Sequence, residues 1–332
     1  MACPFCGCTT EVVRFEAVSA SPKDTLRVMS YNVFDGPRDP EGVAGTIRFH
    51  DPDLVALQEV TEEGARFLAQ TLGFGGVFFR QEKDLRRGRR FINGKALLSR
   101  FPLLEPYHHS FSIDPAERAR ACDRRGDYGE LNEDRGILGA ELLLGKRRLE
   151  ILNVHFALGD PFINQENLLQ LHAFAHALRI RGFELVLLGD FNSHFGLLTE
   201  EAQRLYLETY GRSPGSIVHP CLRTSVRALL EEFPSVWEKA PTRTVLLGKE
   251  ELPPEEARER LSRCEPGSDC WHRWLDAADG NTHQGAHKRF DNILTLLPVE
   301  WARLDLESRA SDHSPLVAQL TFHRHQPIAR EE

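Results

Sequence analysis

The sequence contains no apolar run near the ~18 residues that a membrane-crossing helix needs. Its first residues, MACPFCGCTT, carry neither a basic segment nor an apolar one of the kind that directs secretion. Both absences argue against stable membrane insertion and point to a cytoplasmic setting. There is no repeat period and no low-complexity linker, and the composition is not that of a disordered chain, a collagen-like fibre or a coiled coil. There is no surplus of basic residues either. The 41 Lys and Arg stand against 49 Asp and Glu, giving a net charge of −8. That balance opposes sequence-blind coating of DNA or of an anionic membrane, although a bound cation can still meet a phosphate locally.

Cysteines are few, at 7, and their odd number suits reducing surroundings better than a disulfide framework. Cys3, Cys6 and Cys8 have the spacing of half a zinc knuckle, but a closed site needs four ligands and no second CxxC follows. Cys264 and Cys270 would have to complete such a site across space. A redox CxxC wants a strand before it and a helix after it, whereas this one starts the chain. The cluster therefore reads as part of a functionally minor tail, with metal or redox work as the alternatives.

What is present is an ordinary globular composition: 332 residues, 41% apolar and 27% charged. A chain of that length can bury roughly three quarters of its unfolded surface. Strand candidates are Leu26 to Val33, Asp53 to Glu59, Gly75 to Phe79, Lys95 to Ser99, Gly136 to Leu144, Leu149 to Phe156, Leu185 to Leu188, Phe290 to Leu296 and Leu316 to Phe322. The run LVLL at Leu185 is apolar on both faces, as a central strand requires. Helix candidates are Glu62 to Leu72, Asn164 to Arg181, Thr199 to Thr209 and Glu255 to Arg263. Strands that follow one another directly predict an α+β fold with packed sheets. The expected organisation is one domain over residues 26–324, with tails at 1–25 and 325–332 and inserted stretches at about 106–135 and 193–288.

Several of these strands end in the residue types that hard-cation chemistry uses. Asn32 closes the first, Glu59 the second, His155 the hairpin, and Asp190 with Asn192 the LVLL strand. Asp291 and the pair Asp312-His313 follow near the end. Singly, each is more often a cap, a solvated turn or a satisfied histidine; jointly they are a pattern. In order, SYNV, LQEV, NVHF, LGDFNS, RFDNIL and SDHSPL resemble the endonuclease/exonuclease/phosphatase superfamily, with NGKALLSRFPL as a weaker further match. The resemblance spans about Leu26 to Phe322, the two inserted stretches being unmatched.

The resemblance implies a two-layer β-sandwich flanked by helices, a four-layer α/β/β/α arrangement, with the site where strand ends of both sheets converge. It further implies metal-dependent hydrolysis of phosphodiester bonds, most naturally by a nuclease. A phosphodiester repels nucleophiles, so a cation must neutralise charge that develops in the transition state. Oxygen ligands suit Mg²⁺ or Mn²⁺. On this reading Glu59, Asn32 and Asp312 are the metal ligands. Asp190 and Asn192, two apart on extended backbone, share one side; Asp190 orients and deprotonates water, and Asn192 holds water or a phosphate oxygen. His313, with Asp291 fixing its tautomer, faces the scissile phosphate as base or cationic clamp. His155 is a candidate acid for the leaving oxygen, at a position where other members place a tyrosine.

The ester itself is less marked. Arg86, Arg87, Arg89 and Arg90, and then Arg118, Arg120, Arg124 and Arg125, are basic clusters, with Phe91 and Tyr128 available for stacking on bases. Equally they are a solvated loop. Arg135, His283 and His287 are candidate substrate contacts, and Trp271 and Trp274 wall a pocket or simply pack. The expected partner is a phosphate-ester substrate, nucleic acid first; no protein partner is indicated. A sphingomyelinase-like enzyme acting on a lipid or small ester keeps the same chemistry. A non-catalytic module with this fold is disfavoured because every site position is filled.

Overall fold

The computed structural model describes residues 12–15, 24–34, 39–82, 92–112, 135–156, 161–193, 195–196, 198, 200, 203–204, 207–208, 220–247, 249–265, 268–279, 281–282 and 289–322. Cys3, Cys6, Cys8, the arginines from Arg86 to Arg125 named above, Phe91, Tyr128, His283 and His287 lie outside them. Most of the Thr199 to Thr209 helix candidate does too.

In chain order the elements are β1 (Val12–Phe15), β2 (Thr25–Asn32), α1 (Pro40–His50), β3 (Leu54–Val60), α2 (Glu62–Leu72), β4 (Gly75–Glu82), β5 (Ile92–Ser99), β6 (Leu103–Ser110), β7 (Gly136–Leu144) and β8 (Arg147–His155). Then come α3 (Pro161–Ile180), β9 (Glu184–Asp190), α4 (Pro220–Glu232), α5 (Val236–Lys239), β10 (Thr242–Leu247), β11 (Glu250–Leu252), α6 (Pro254–Leu261), α7 (Asp269–Asp279), β12 (Asp291–Thr295), β13 (Val299–Asp305) and β14 (Leu316–Thr321). They build a 9-stranded sheet, β1-β4-β5-β3-β2-β14-β13-β10-β11, and a 5-stranded sheet, β12-β9-β8-β7-β6.

Side chains alternate across each strand, so each sheet buries two apolar faces. Leu26, Val28, Leu54, Ala56, Val77 and Leu97 of the larger sheet meet Leu138, Ala140, Leu149, Ile151, Val186, Leu188 and Ile293 of the smaller one. The outer face of the larger sheet, with Met29, Tyr31, Val55, Leu57 and Leu98, is covered by Val43, Ala44 and Ile47 of α1 and Ala65, Leu68 and Ala69 of α2. The outer face of the smaller sheet, with Ile137, Leu152, Val154, Leu185 and Leu187, is covered by Leu168, Leu171 and Ala175 of α3 and Val226 and Leu229 of α4. The order of layers is helix, sheet, sheet, helix, as expected. Each fully buried Leu or Ile contributes roughly 1.5–3 kcal/mol.

Several elements differ from expectation. β6 runs on through Pro106 to Ser110, so the first excursion begins later than residue 106. The second stretch is woven into the fold: β10 pairs in parallel with β13, β11 extends that edge, and α4 covers the smaller sheet. β1 lies in the presumed tail and pairs with β4. α1 is capped by Asp39, whose side chain accepts from the Gly42 backbone N–H. Cys264 and Cys270 are joined to each other in a disulfide, with Cα atoms 5.8 Å apart. That pairing removes both as zinc ligands for the N-terminal cysteines, and it does not fit the expectation of wholly reduced thiols. Trp271 is buried, and Trp274 packs against the core between the sheets. No described helix is long and apolar enough to cross a membrane.

β12 is an edge strand, and its free side is bridged by Ser235, which pairs with Leu294 and donates through its hydroxyl to Asn292 Oδ1 at 2.7 Å.

Candidate functional site

At one end of the sandwich the inward-facing residues change from apolar to polar without a change of period. Leu26 and Val28 of β2 give way to Ser30 and Asn32, and Leu54 and Ala56 of β3 to Gln58. On β5, which runs the other way, Leu97 is preceded by Lys95 and Asn93. In the smaller sheet Leu149 and Ile151 are followed by Asn153 and His155, Val186 and Leu188 by Asp190, and Ile293 is preceded by Asp291. Pairing aligns these ends: Gly136, His155, Asp190 and Asp291 form one row across β7, β8, β9 and β12, and Asn32, Gln58 and Lys95 form another across β2, β3 and β5.

The two rows are bonded to each other. The Asn32 side-chain amide donates to Asp190 Oδ2 at 3.0 Å and to Glu59 Oε1 at 3.3 Å, while its Oδ1 accepts the Phe34 N–H at 3.0 Å. Gln58 donates to Asn153 Oδ1 at 2.8 Å, and Asn153 donates to the Leu57 and Ala96 carbonyls at 2.9 Å. The Lys95 ammonium, fully buried, donates to the Gly136 carbonyl at 2.9 Å.

Glu59 would point away from this cleft on a regular strand, since its neighbour Gln58 points in. The pairing of β3 with β5 slips between Gln58 and Val60, and Glu59 sits in that bulge with φ 57°. A bulge re-aims a side chain. Here it brings Glu59 Oε1 to 3.6 Å from His155 Nε2. Asn192 also has a positive φ, 45°. Its backbone N–H is accepted by Asp190 Oδ1 at 2.8 Å, and its side-chain amide donates to the Phe156 carbonyl at 2.8 Å. Asn192 therefore fixes the turn that holds Asp190, with one of its two amide N–H groups donated to backbone.

Asp190, Asp291 and His313 are all buried, and one ligand atom of each lies within 4.8 Å of the others, a spacing that could hold a metal ion. Within the group, one carboxylate orients the imidazole and the other lies beyond hydrogen-bond reach of it. His313 Nδ1 lies 2.7 Å from Asp291 Oδ2, and Nε2 lies 3.9 Å from Asp190 Oδ2. Burial pushes the His313 imidazole down, but the charge of Asp291, its hydrogen bond, and then Asp190 and Asp312 prevail and raise it to about 10. For Asp190, burial comes first and Asp291 second, and together they raise it to about 6 against the His313 charge. His155 Nε2 stands 3.7 Å from Asp190 Oδ2.

Asn32, Glu59, His155, Asp190, Asp291 and His313 thus surround one cleft. Asp312 is half-buried beside His313, close enough that its charge helps to raise that imidazole. Arg135 is buried at the entry to β7, where its carbonyl accepts the Phe111 N–H. The donor set suits a hard cation: the carboxylates and the Asn32 amide offer oxygen atoms, and Asp291 Oδ1 is buried with no hydrogen-bond partner among the described residues. Sequence reasoning left unassigned the residues that hold the cleft together. Thr282 Oγ1 accepts the backbone N–H groups of Phe290 and Asp291, both at 3.0 Å. The Ser311 hydroxyl donates to the Asn32 carbonyl at 2.8 Å and accepts the His313 N–H at 3.1 Å. For Gln58, Lys95 and Asn153 a usable signal existed: each stands where an apolar alternation turns polar.

The model of the Endonuclease/Exonuclease/phosphatase family matches residues 29–313. No curated protein matches. Among solved structures, an endonuclease/exonuclease/phosphatase from Beutenbergia cavernae is similar over 90% of this chain and 72% of that one, with a TM-score of 0.59 and 18% identity. A functionally unknown conserved protein from Enterococcus faecalis is similar over 88% and 98%, with a TM-score of 0.53 and 18% identity. An endonuclease/exonuclease/phosphatase from Bacteroides vulgatus is similar over 90% and 99%, with a TM-score of 0.52 and 17% identity.

Proposed function

The chain belongs to the endonuclease/exonuclease/phosphatase family, and from that premise we propose that it is a Mg²⁺- or Mn²⁺-dependent phosphodiester hydrolase, in the first place a nuclease. The observation that carries this reading is the buried Asp190, hydrogen-bonded to Asn32 and facing a histidine that Asp291 holds at 2.7 Å. Glu59, Asn32 and Asp312 are the residues assigned to the cation, which when bound neutralises charge on the phosphoryl oxygens.

Asp190 takes a proton from the attacking water. Its two hydrogen bonds, from Asn32 and from the Asn192 backbone, fix the carboxylate while leaving lone pairs free for that water. His313, kept cationic, donates from Nε2 to a phosphoryl oxygen, and Asp291 sets its orientation. His155, beside Glu59 and Asp190, protonates the leaving oxygen. Asn192 shapes the turn through one amide N–H, donated to the Phe156 carbonyl, and its second amide N–H holds water or a phosphate oxygen.

Asp190→Asn and His313→Ala should each lower hydrolysis by about 100-fold or more, the scale of losing an acid–base group, with the far-ultraviolet spectrum unchanged. Purified protein would be assayed with Mg²⁺, with Mn²⁺ and with chelator on single- and double-stranded DNA, RNA, sphingomyelin and bis(p-nitrophenyl) phosphate. A folded Asp190→Asn protein with full activity removes the water-orienting role. Turnover confined to the small esters and insensitive to salt removes the nuclease reading.

A further inference from the structure

Beside the hydrolytic centre the polar end of the sandwich continues onto β4, β5 and β6, and there its character changes. Gln81 and Asn93 face each other across the β4–β5 pair, two positions beyond Phe79 and Lys95 on the same inward face. They are 2% and 5% exposed, and the side-chain nitrogen of each is buried with no hydrogen-bond partner among the described residues. His108 of β6, also 2% exposed, stacks flat on Phe79 with ring centroids 3.4 Å apart, and its Nε2 likewise has no partner among the described residues. β4 packs over β6 and β5 over β7. Lys95 and His108 converge on Gly136: the ammonium bonds its carbonyl, and a Cβ placed there would stand 2.9 Å from His108 Nε2.

None of these inward positions carries an acid. The hydrolytic centre gathers carboxylates, whereas this flank gathers amide donors around a buried ammonium. Unfilled donors in a dry site next to a fixed positive charge are arranged for an oxyanion. Gly136 is two strands from Asp190 in the row across the smaller sheet, about 10 Å at ~4.8 Å per strand. One substrate can span that gap.

We infer that Gln81, Asn93 and His108, beside Lys95, form a subsite for a second phosphoryl group carried by the substrate next to the one that is cleaved. This rests on the hydrolase reading for the identity of the substrate, though not for the binding of the anion. The second group comes either from the neighbouring phosphate of a nucleic acid strand or from a small pyrophosphate ester.

The test is the Gln81→Leu/Asn93→Leu protein in the full chain. Replacing buried, unpartnered amides by apolar groups of similar size leaves the melting temperature unchanged or raises it. The ratio of kcat/KM for 5′-phosphorylated thymidine dinucleotide to that for bis(p-nitrophenyl) phosphate should fall tenfold or more. A dinucleoside pyrophosphate serves as the small-molecule arm, and the arm whose ratio falls identifies the source. Calorimetry with inorganic pyrophosphate, in the presence of EDTA, should give a binding constant at least tenfold weaker in the variant than in the wild type. Ratios and affinities within twofold of wild type overturn the subsite, as does a loss of stability with pyrophosphate binding intact, since the amides would then be structural. If the wild type hydrolyses none of these esters, the hydrolase reading fails and the calorimetry alone decides the subsite. If the double variant does not fold, Asn93→Asp, nearly isosteric but anionic, must show the same loss of pyrophosphate binding.

Discussion

Asp190 reaches its position through the residue before it. Gly189 adopts φ 145°, and a Cβ there would lie 2.0 Å from the Val154 carbonyl oxygen of the adjacent strand. Gly189→Ala should therefore separate β8 from β9 locally and lower stability by at least about 2 kcal/mol, the scale of a strained backbone position, read from the denaturant midpoint. A midpoint equal to wild type would mean that the strands accommodate the methyl. The titration of the site gives a second expectation. Asp190, raised to about 6, must be deprotonated to act as base, and His313, raised to about 10, must be protonated to act as donor. The rate should rise with pH up to about 6, hold a plateau, and fall towards about 10, the two limbs belonging to the coupled pair. A profile of kcat/KM that falls between pH 7 and 8 would place the falling limb on another acid, such as His155, and contradict its assignment to His313.

Among elements, β3 shows most plainly what pattern alone conveys. DLVALQEV reads as a strand closed by a carboxylate, and a strand is found from Leu54 to Val60. What alternation would place wrongly is the direction of Glu59: if Gln58 faces the cleft, a regular strand turns Glu59 towards the helices. The bulge reverses this, and no local residue announces it, because it arises from pairing with a strand some 35 positions away. Glu59→Gly should relieve the positive φ, leaving stability unchanged or raised by about 1 kcal/mol, while activity falls by about 100-fold or more. Parallel loss of stability and activity, measured by melting and turnover on one sample, would instead make Glu59 a structural residue. The site motifs were legible for the same reason that β3 was, because chemistry-bearing residues stand at the ends of periodic runs. β10, β11 and β13 were not: TRTVLL, EEL and VEWARLD mix charge into short segments that find their places only by pairing in turn, β13 on β14, β10 on β13 and β11 on β10. α1 was obscured by its two glycines, Gly42 and Gly45, within a helix otherwise marked by Val43 and Ile47. The Cys264–Cys270 pair could not be told by spacing from a metal half-site.

At the scale of the whole molecule, buried ionisable groups outside the cleft tie stability to pH. Burial pushes Glu150 up to about 7, although the Tyr107 hydroxyl donates to it at 2.6 Å. The native protein keeps that proton up to about 7, whereas the unfolded chain releases it near the ordinary 4.5. Between those values the native state binds more protons, so stability is fully present below about 4.5 and declines as pH rises through about 7, by up to about 3 kcal/mol from this residue. Denaturant titrations at pH 5 and pH 8 should show the decline in the wild type and a smaller one in Glu150→Gln; equal slopes would assign it elsewhere. The bridge by Ser235 along the outer margin of β12 has a different consequence. An uncovered margin there would invite a strand from another molecule, and a recruited strand could drag β12 by one residue and turn Asp291 out of the cleft. The clasp covers that margin through the Ser235–Leu294 pairing and the Ser235 hydroxyl on Asn292, so one short segment both closes the sheet and keeps Asp291 in register beside Asp190.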